Sequence, residues 1–253
     1  MQGASMRILS NNCIGGFLYQ DYHLPYQTPL AMLQIAPNDF VQFLSNLDDY
    51  LGYELENIES HNTKVIETFV SLGGSANITF PVGKLGEIIV FFQHSKSFQE
   101  AKESWNRRIM RFQKDKSQIY VILNLMGYSH FMANKESGVR VINEFLELPY
   151  EKKILLHTDA KIASIYPNQQ EVAYVGEIQN AWFDFIEANP HNRKNYHRFD
   201  FDKWLGVSCL QTKDSALRRI KSSINHKIIN DAGGGGYSLF YPPSKANSKN
   251  CMS

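Results

Sequence analysis

Four short apolar runs constrain this chain more than any other feature: Met6–Ser10, Glu87–Gln93 (EIIVFFQ), Gln118–Leu125 (QIYVILNL) and Lys153–His157 (KILLH). Between and after them, apolar residues recur at helical spacing. Phe40, Phe43, Leu44, Leu47 and Leu51 form one such series, with Asn38 or Asp39 as the expected N-cap. Phe98, Ala101, Trp105, Ile109 and Phe112 form the clearest, and Val139–Leu148 and Ile178–Ala188 add two more. Strand-like runs alternating with helices are the pattern of βα units, so an α/β fold is expected. At 253 residues the chain can bury one sizeable core, or two small lobes sharing a cleft.

Charge and cysteine content exclude several classes of protein. With 26 Lys and Arg against 25 Asp and Glu, the net charge is +1, and no global field exists to attract nucleic acid. Cys13, Cys209 and Cys251 have no metal-ligand spacing, and an odd, unpaired set argues for a reducing, cytoplasmic compartment. Residues 1–5 read as a loose leader, and Met1–Ser10 lacks the apolar stretch of a signal peptide. Residues 210–253 change character. Leu217, Ile220, Ile224 and Ile228 line a helix flanked by Arg218, Arg219, Lys221 and Lys227, followed by a Gly-rich, Pro- and Ser-containing end. Such a helix either docks on the core or contacts an anionic membrane surface peripherally.

Polar residues follow the predicted strands: Asn11, Asn12 and Cys13 after the first, His94 after the second, Asn124 closing the third, and His157 and Asp159 at the fourth. If the strands are mostly parallel, these groups converge on the edge where α/β sheets bind ligands. Cys13 precedes Gly15-Gly16 and a possible helical turn, and a helix N-terminus favours a thiolate. With His94 as general base and an Asn side chain at the oxyanion, it could act as a nucleophile. The plainer alternative is a small buried cysteine beside a tight turn. Asn124 and Asp159 could equally form turns, and Ser97 with Glu100 could form a capping box.

Arg107, Arg108 and Arg111 cluster on the helix marked by Phe98 to Phe112, where they could meet a phosphate-bearing intermediate or simply form a solvated face. At least one is expected to be buried in an ion pair, with Glu103 or Asp200 as partner. No P-loop, GxGxxG, GxSxG or HExxH occurs, so no cofactor and no metal is called for.

Several ordered motifs carry a family resemblance. They are Ser10-Asn11-Asn12-Cys13-Ile14-Gly15-Gly16 with Leu24-Pro25-Tyr26 and Thr28-Pro29, then Phe80-Pro81-Val82-Gly83. The third runs from His94 through Ser97-Phe98-Gln99-Glu100-Ala101 and Trp105 to Arg107-Arg108 and Arg111, and Phe199-Asp200…Trp204-Leu205 closes the set. The chain resembles the family of domain of unknown function 1919, commonly labelled exopolysaccharide biosynthesis proteins. The resemblance implies mixed sheets with flanking helices in two subdomains, and a place in capsule or exopolysaccharide assembly. The order of Cys13, His94 and the arginine helix is also similar to a group labelled putative papain-like cysteine peptidases.

These observations give an α/β domain over 6–209, with lobes at 6–125 and 126–209. The expected activity is a transferase on a sugar or glycan intermediate. The alternatives are a cysteine hydrolase or acyltransferase using Cys13, His94 and Asp159, and a non-catalytic assembly factor. Asn11, Asn12, Asn124, Arg107, Arg108 and Arg111 are the expected substrate contacts.

Overall fold

A computed structural model describes residues 6–22, 24–112, 119–128, 131–176 and 199–206. The expected leader, the helix at 178–188, Cys209, Cys251 and the basic C-terminal helix lie outside the described residues.

The elements run β1 (Arg7–Ser10), α1 (Ile14–Asp21), β2 (Gln34–Ile35), α2 (Pro37–Ser45), α3 (Leu47–Gly52), β3 (Glu56–Asn57), α4 (Thr63–Ser71), β4 (Val82–Leu85) and β5 (Ile88–Phe91). They continue with α5 (Phe98–Ile109), β6 (Ile119–Asn124), α6 (Lys135–Glu147), β7 (Lys152–His157), α7 (Ala160–Ile165), β8 (Val172–Tyr174) and α8 (Phe201–Leu205). The strands form two sheets, which confirms the mixed α/β architecture. One is parallel, in the order β1-β6-β7-β8; the other is antiparallel, in the order β2-β5-β4-β3.

Strands β1 and β6 and the second half of β7 are buried on both faces, as the centre of a parallel sheet requires, whereas the edge strand β8 is half-buried to exposed. Side chains alternate along each strand. Leu9, Val121, Leu123 and Leu155 therefore enter one core cluster, and Ile8, Ile122, Ile154 and Leu156 another. The first cluster also takes Ile35, Leu85, Ile88 and Val90 from the antiparallel sheet, together with Phe40, Phe43 and Trp105 from α2 and α5. One continuous core thus joins residues on both sides of position 125. The second cluster packs Leu18 and Tyr19 of α1 and Phe201 and Leu205 of α8 on the opposite face.

The periodic series from Phe40 to Leu51 is split between α2 and α3. Ala36, not Asn38 or Asp39, is the N-cap, because Pro37 takes the first helical position, where its missing N–H costs nothing. In α5, Ala101 and Trp105 are buried, Phe98 and Ile109 pack half-buried on the same core, and Phe112 is buried just past the helix end. Ser97 Oγ accepts from Glu100 N as the expected cap, and Glu100 Oε2 reaches back to Lys96 N at 2.9 Å, one residue before the N-cap, in a shifted form of the capping box.

Candidate active site

The turn after β1 is held from within. Ser10 Oγ donates to Asn12 O at 2.6 Å and accepts from Gly15 N at 3.0 Å, while Asn12 Oδ1 accepts from Ile14 N at 3.2 Å. These bonds satisfy amides of the first turn of α1 and leave Cys13 at the position just before it. The two glycines are required by close approach. A Cβ on Gly15 would lie 2.5 Å from Ser10 Oγ, and one on Gly16 would lie 2.3 Å from Met32 Sδ and 2.9 Å from Met32 N. Met32 itself has φ 62°, a left-handed conformation uncommon outside glycine.

Cys13 Sγ lies 3.2 Å from His94 Nε2, within hydrogen-bond reach for sulfur. Leu33 O is 3.9 Å from the same sulfur. Cys13 is 0% exposed, whereas His94 is exposed, so the pair runs from the core to the surface. The two residues meet by a different route from the one their sequence positions suggest. Cys13 follows a strand of the parallel sheet, but His94 follows β5 of the antiparallel one. The link is β2, which pairs with β5 through Gln34 and Phe91 and receives its own anchor when Ile35 N donates to Asn11 O at 2.8 Å. Gln93 Nε2 donates to Gln34 Oε1 at 2.6 Å and fixes the chain just before His94.

Asn11, Asn12 and Asn124 are all 0% exposed, and Asn124 bonds to both of the others. Asn11 Nδ2 donates to Asn124 O at 3.0 Å and Asn11 Oδ1 accepts from Asn124 N at 2.7 Å, which staples the ends of β1 and β6. Asn124 Nδ2 reaches Asn12 Oδ1 at 3.4 Å, and Asn124 Oδ1 accepts from Met126 N. Tyr128 joins the cluster by accepting from Gln34 Nε2 at 3.1 Å. Burial pushes its phenol up to about 12, opposed by hydrogen bonds from Gln34 and Asn12 and reinforced by Cys13, so it stays neutral. Sequence reasoning missed Tyr128, Gln34 and Met32, because their roles arise only from long-range packing.

Asp159 does not belong to this pair as a catalytic third member. Its carboxylate caps α7 by accepting from Lys161 N at 2.7 Å, and its carbonyl holds His157 Nδ1 at 3.1 Å. β6 lies between β1 and β7, so two strand spacings, about 10 Å, separate the two strand ends. Burial lowers the His157 pKa below the ordinary histidine value, opposed by Asp159.

Beside His94 a cleft of about 80 Å³ opens between the 29–32 segment and α5; Met32, Ser95, Glu100, Ser104, Trp105 and Arg108 contribute to its walls. Of the three arginines, Arg107 and Arg111 are exposed and Arg108 is half-buried. Among the described residues, the ion pair expected for the cluster does not form. Arg108 donates to Ala31 O at 2.7 Å and places its guanidinium 4.9 Å from the centre of the Tyr26 ring. A carbonyl dipole and a ring face replace the carboxylate. Burial and the neighbouring Arg107 and Arg111 charges lower its pKa, while Tyr26 opposes them.

Fold and geometry define an α/β protein with a cysteine–histidine pair where its two sheets are stitched together. The chain matches the family described as Domain of unknown function (DUF1919) over residues 1–206, and it belongs to that family. It is also similar to a protein of Haemophilus influenzae described as "Uncharacterized protein", with 32% identity over 204 residues, which cover 79% of this chain and 83% of that protein.

Proposed function

We propose that the chain is a cysteine-dependent acyltransferase or hydrolase, with Cys13 as nucleophile and His94 as general base. The observation that carries this is the 3.2 Å approach of Cys13 Sγ to His94 Nε2 at the start of a helix. Cys13 Sγ attacks the carbonyl carbon of an ester, thioester or amide, and a C–S bond forms. The thiol proton passes to His94 Nε2, which returns it to the departing alkoxide, thiolate or amine as the old acyl bond breaks. Water or an acceptor hydroxyl then attacks the thioester, gives its proton to His94, and releases the thiol. The products are an acid or a new ester.

The sulfur is buried beneath an exposed imidazole, so the acyl donor reaches it only after the covering groups shift. Similarity of the motifs to proteins labelled exopolysaccharide biosynthesis proteins supports a sugar or glycan intermediate as donor or acceptor, handled in the cytoplasm. Among the described residues no helix is long and apolar enough to cross a membrane.

The test is trapping of the acyl-enzyme. Wild-type protein incubated with an activated ester should carry one acetyl group on the peptide bearing Cys13. Cys13→Ser should lose that label with its melting temperature within a few degrees of wild type. Labelling that persists on other residues in Cys13→Ser, with none ever found on Cys13, would sink the proposal.

A further inference from the structure

The cleft beside His94 is lined by an excess of hydrogen-bond donors. Arg108 uses one guanidinium nitrogen on Ala31 O, and no carboxylate among the described residues lies within ion-pair distance of it. Trp105, 1% exposed, stands in the same wall, and its indole Nε1–H is buried without a hydrogen-bond partner among the described residues. A buried donor left unpaired is costly, and in native proteins such a group calls for an explanation. The hydroxyls of Ser95 and Ser104 also belong to this wall. Among the described residues Glu100 is the one acid lining the cleft, and one of its carboxylate oxygens already accepts from Lys96 N. Arg107 and Arg111, one residue before Arg108 and three after it, add positive potential and likewise have no carboxylate partner among the described residues; Arg107 bonds only Ser104 Oγ.

We infer that this cleft is an oxyanion subsite: it binds a carboxylate or phosphate group of the substrate on the Arg108 guanidinium and the Trp105 indole N–H. A guanidinium fork matches either group in a bidentate manner, and both are acceptor-only groups that answer an excess of donors. The volume is several times the roughly 10–15 Å³ that one water needs, enough for a small anionic group. This deepens the acyl-transfer reading and rests on it for the role of the bound molecule. The substrate class it names is an acyl donor or acceptor bearing a negative charge close to the bond that reacts.

The experiment titrates the full chain with inorganic phosphate and, separately, acetate. It follows the indole N–H signals by proton–nitrogen correlation spectroscopy, with Trp105→Phe assigning the Trp105 signal. The expected result is a saturable shift of that signal. A shift with phosphate alone identifies a phosphate-bearing substrate, and a shift with acetate also identifies a carboxylate. Arg108→Gln should weaken binding by about tenfold or more, as loss of a charge-assisted bond does, whereas Arg107→Gln and Arg111→Gln should change it by no more than about threefold. Arg108→Lys, which keeps the charge and loses the fork, guards against misfolding of the neutral variant. A Trp105 signal that stays in place with both anions overturns the inference, and so does equal weakening by all three glutamine variants. Cys13→Ser should retain the shift, so failure of the nucleophile and failure of the subsite are told apart.

Discussion

An added methyl at Gly16 meets Met32 Sδ at 2.3 Å, which a flexible side chain could relieve, but it also meets Met32 N at 2.9 Å, which only a backbone shift could. Gly16→Ala should therefore destabilise the protein by about 1–3 kcal/mol, the usual range for overpacking, measured as a lower urea midpoint. Because Met32 lies next to the carbonyl that faces Cys13, the same change should also disturb the thiol. His157 provides a separate residue-scale check. Burial depresses its pKa, so between that value and the ordinary value of about 6.5 the unfolded chain binds the proton and the folded chain does not. The stability this group contributes is fully present above about pH 6.5 and is lost as the pH falls through its folded pKa. His157→Phe should flatten the decline of the urea midpoint between about pH 7.5 and 5.5 relative to wild type. An unchanged slope would mean that the imidazole titrates alike in both states.

At the scale of elements, the staple between β1 and β6 holds the end of the strand that leads to Cys13. Asn11→Leu removes both hydrogen bonds to Asn124, together with a long one to Tyr128, and leaves Asn124 N–H and C=O buried without these partners. At about 1–3 kcal/mol for each stranded group, the loss should approach 2–5 kcal/mol in urea unfolding. A loss under about 1 kcal/mol would contradict the staple. Strands β1, β5, β6 and β7 and helices α5 and α6 were legible in the sequence to within a few residues, because those strands are apolar runs and the helical stripes are long. Strands β2, β3, β4 and β8 were not, since two to four residues carry too little periodicity. The capping box at Ser97 was readable because it is local, while the role of Arg108 was not. A carbonyl 77 residues away in sequence and a ring farther away still replaced the carboxylate that burial of a cation would call for.

For the whole molecule, the central feature is that one short strand, β2, hydrogen-bonds to the loop after β1 and pairs with β5, so that two sheets deliver one residue each to a single point. Cys13 and His94 could be selected from the sequence by chemistry and by their places after strands. Their meeting could not be derived from a common parallel sheet, because the strand before His94 is antiparallel and belongs to the other one. Asp159 could look catalytic only while the order of strands was unknown; with β6 between β1 and β7, it is a helix cap. The most direct measurement is the rate at which iodoacetamide modifies Cys13 at neutral pH, followed on the Cys13 peptide by mass spectrometry. A free thiol is only a few per cent thiolate at pH 7, so a thiol ionised by its imidazole should react on the order of tenfold faster in wild type than in His94→Ala. Equal rates in the two proteins, or no modification of Cys13 until the chain is denatured, would contradict the pairing.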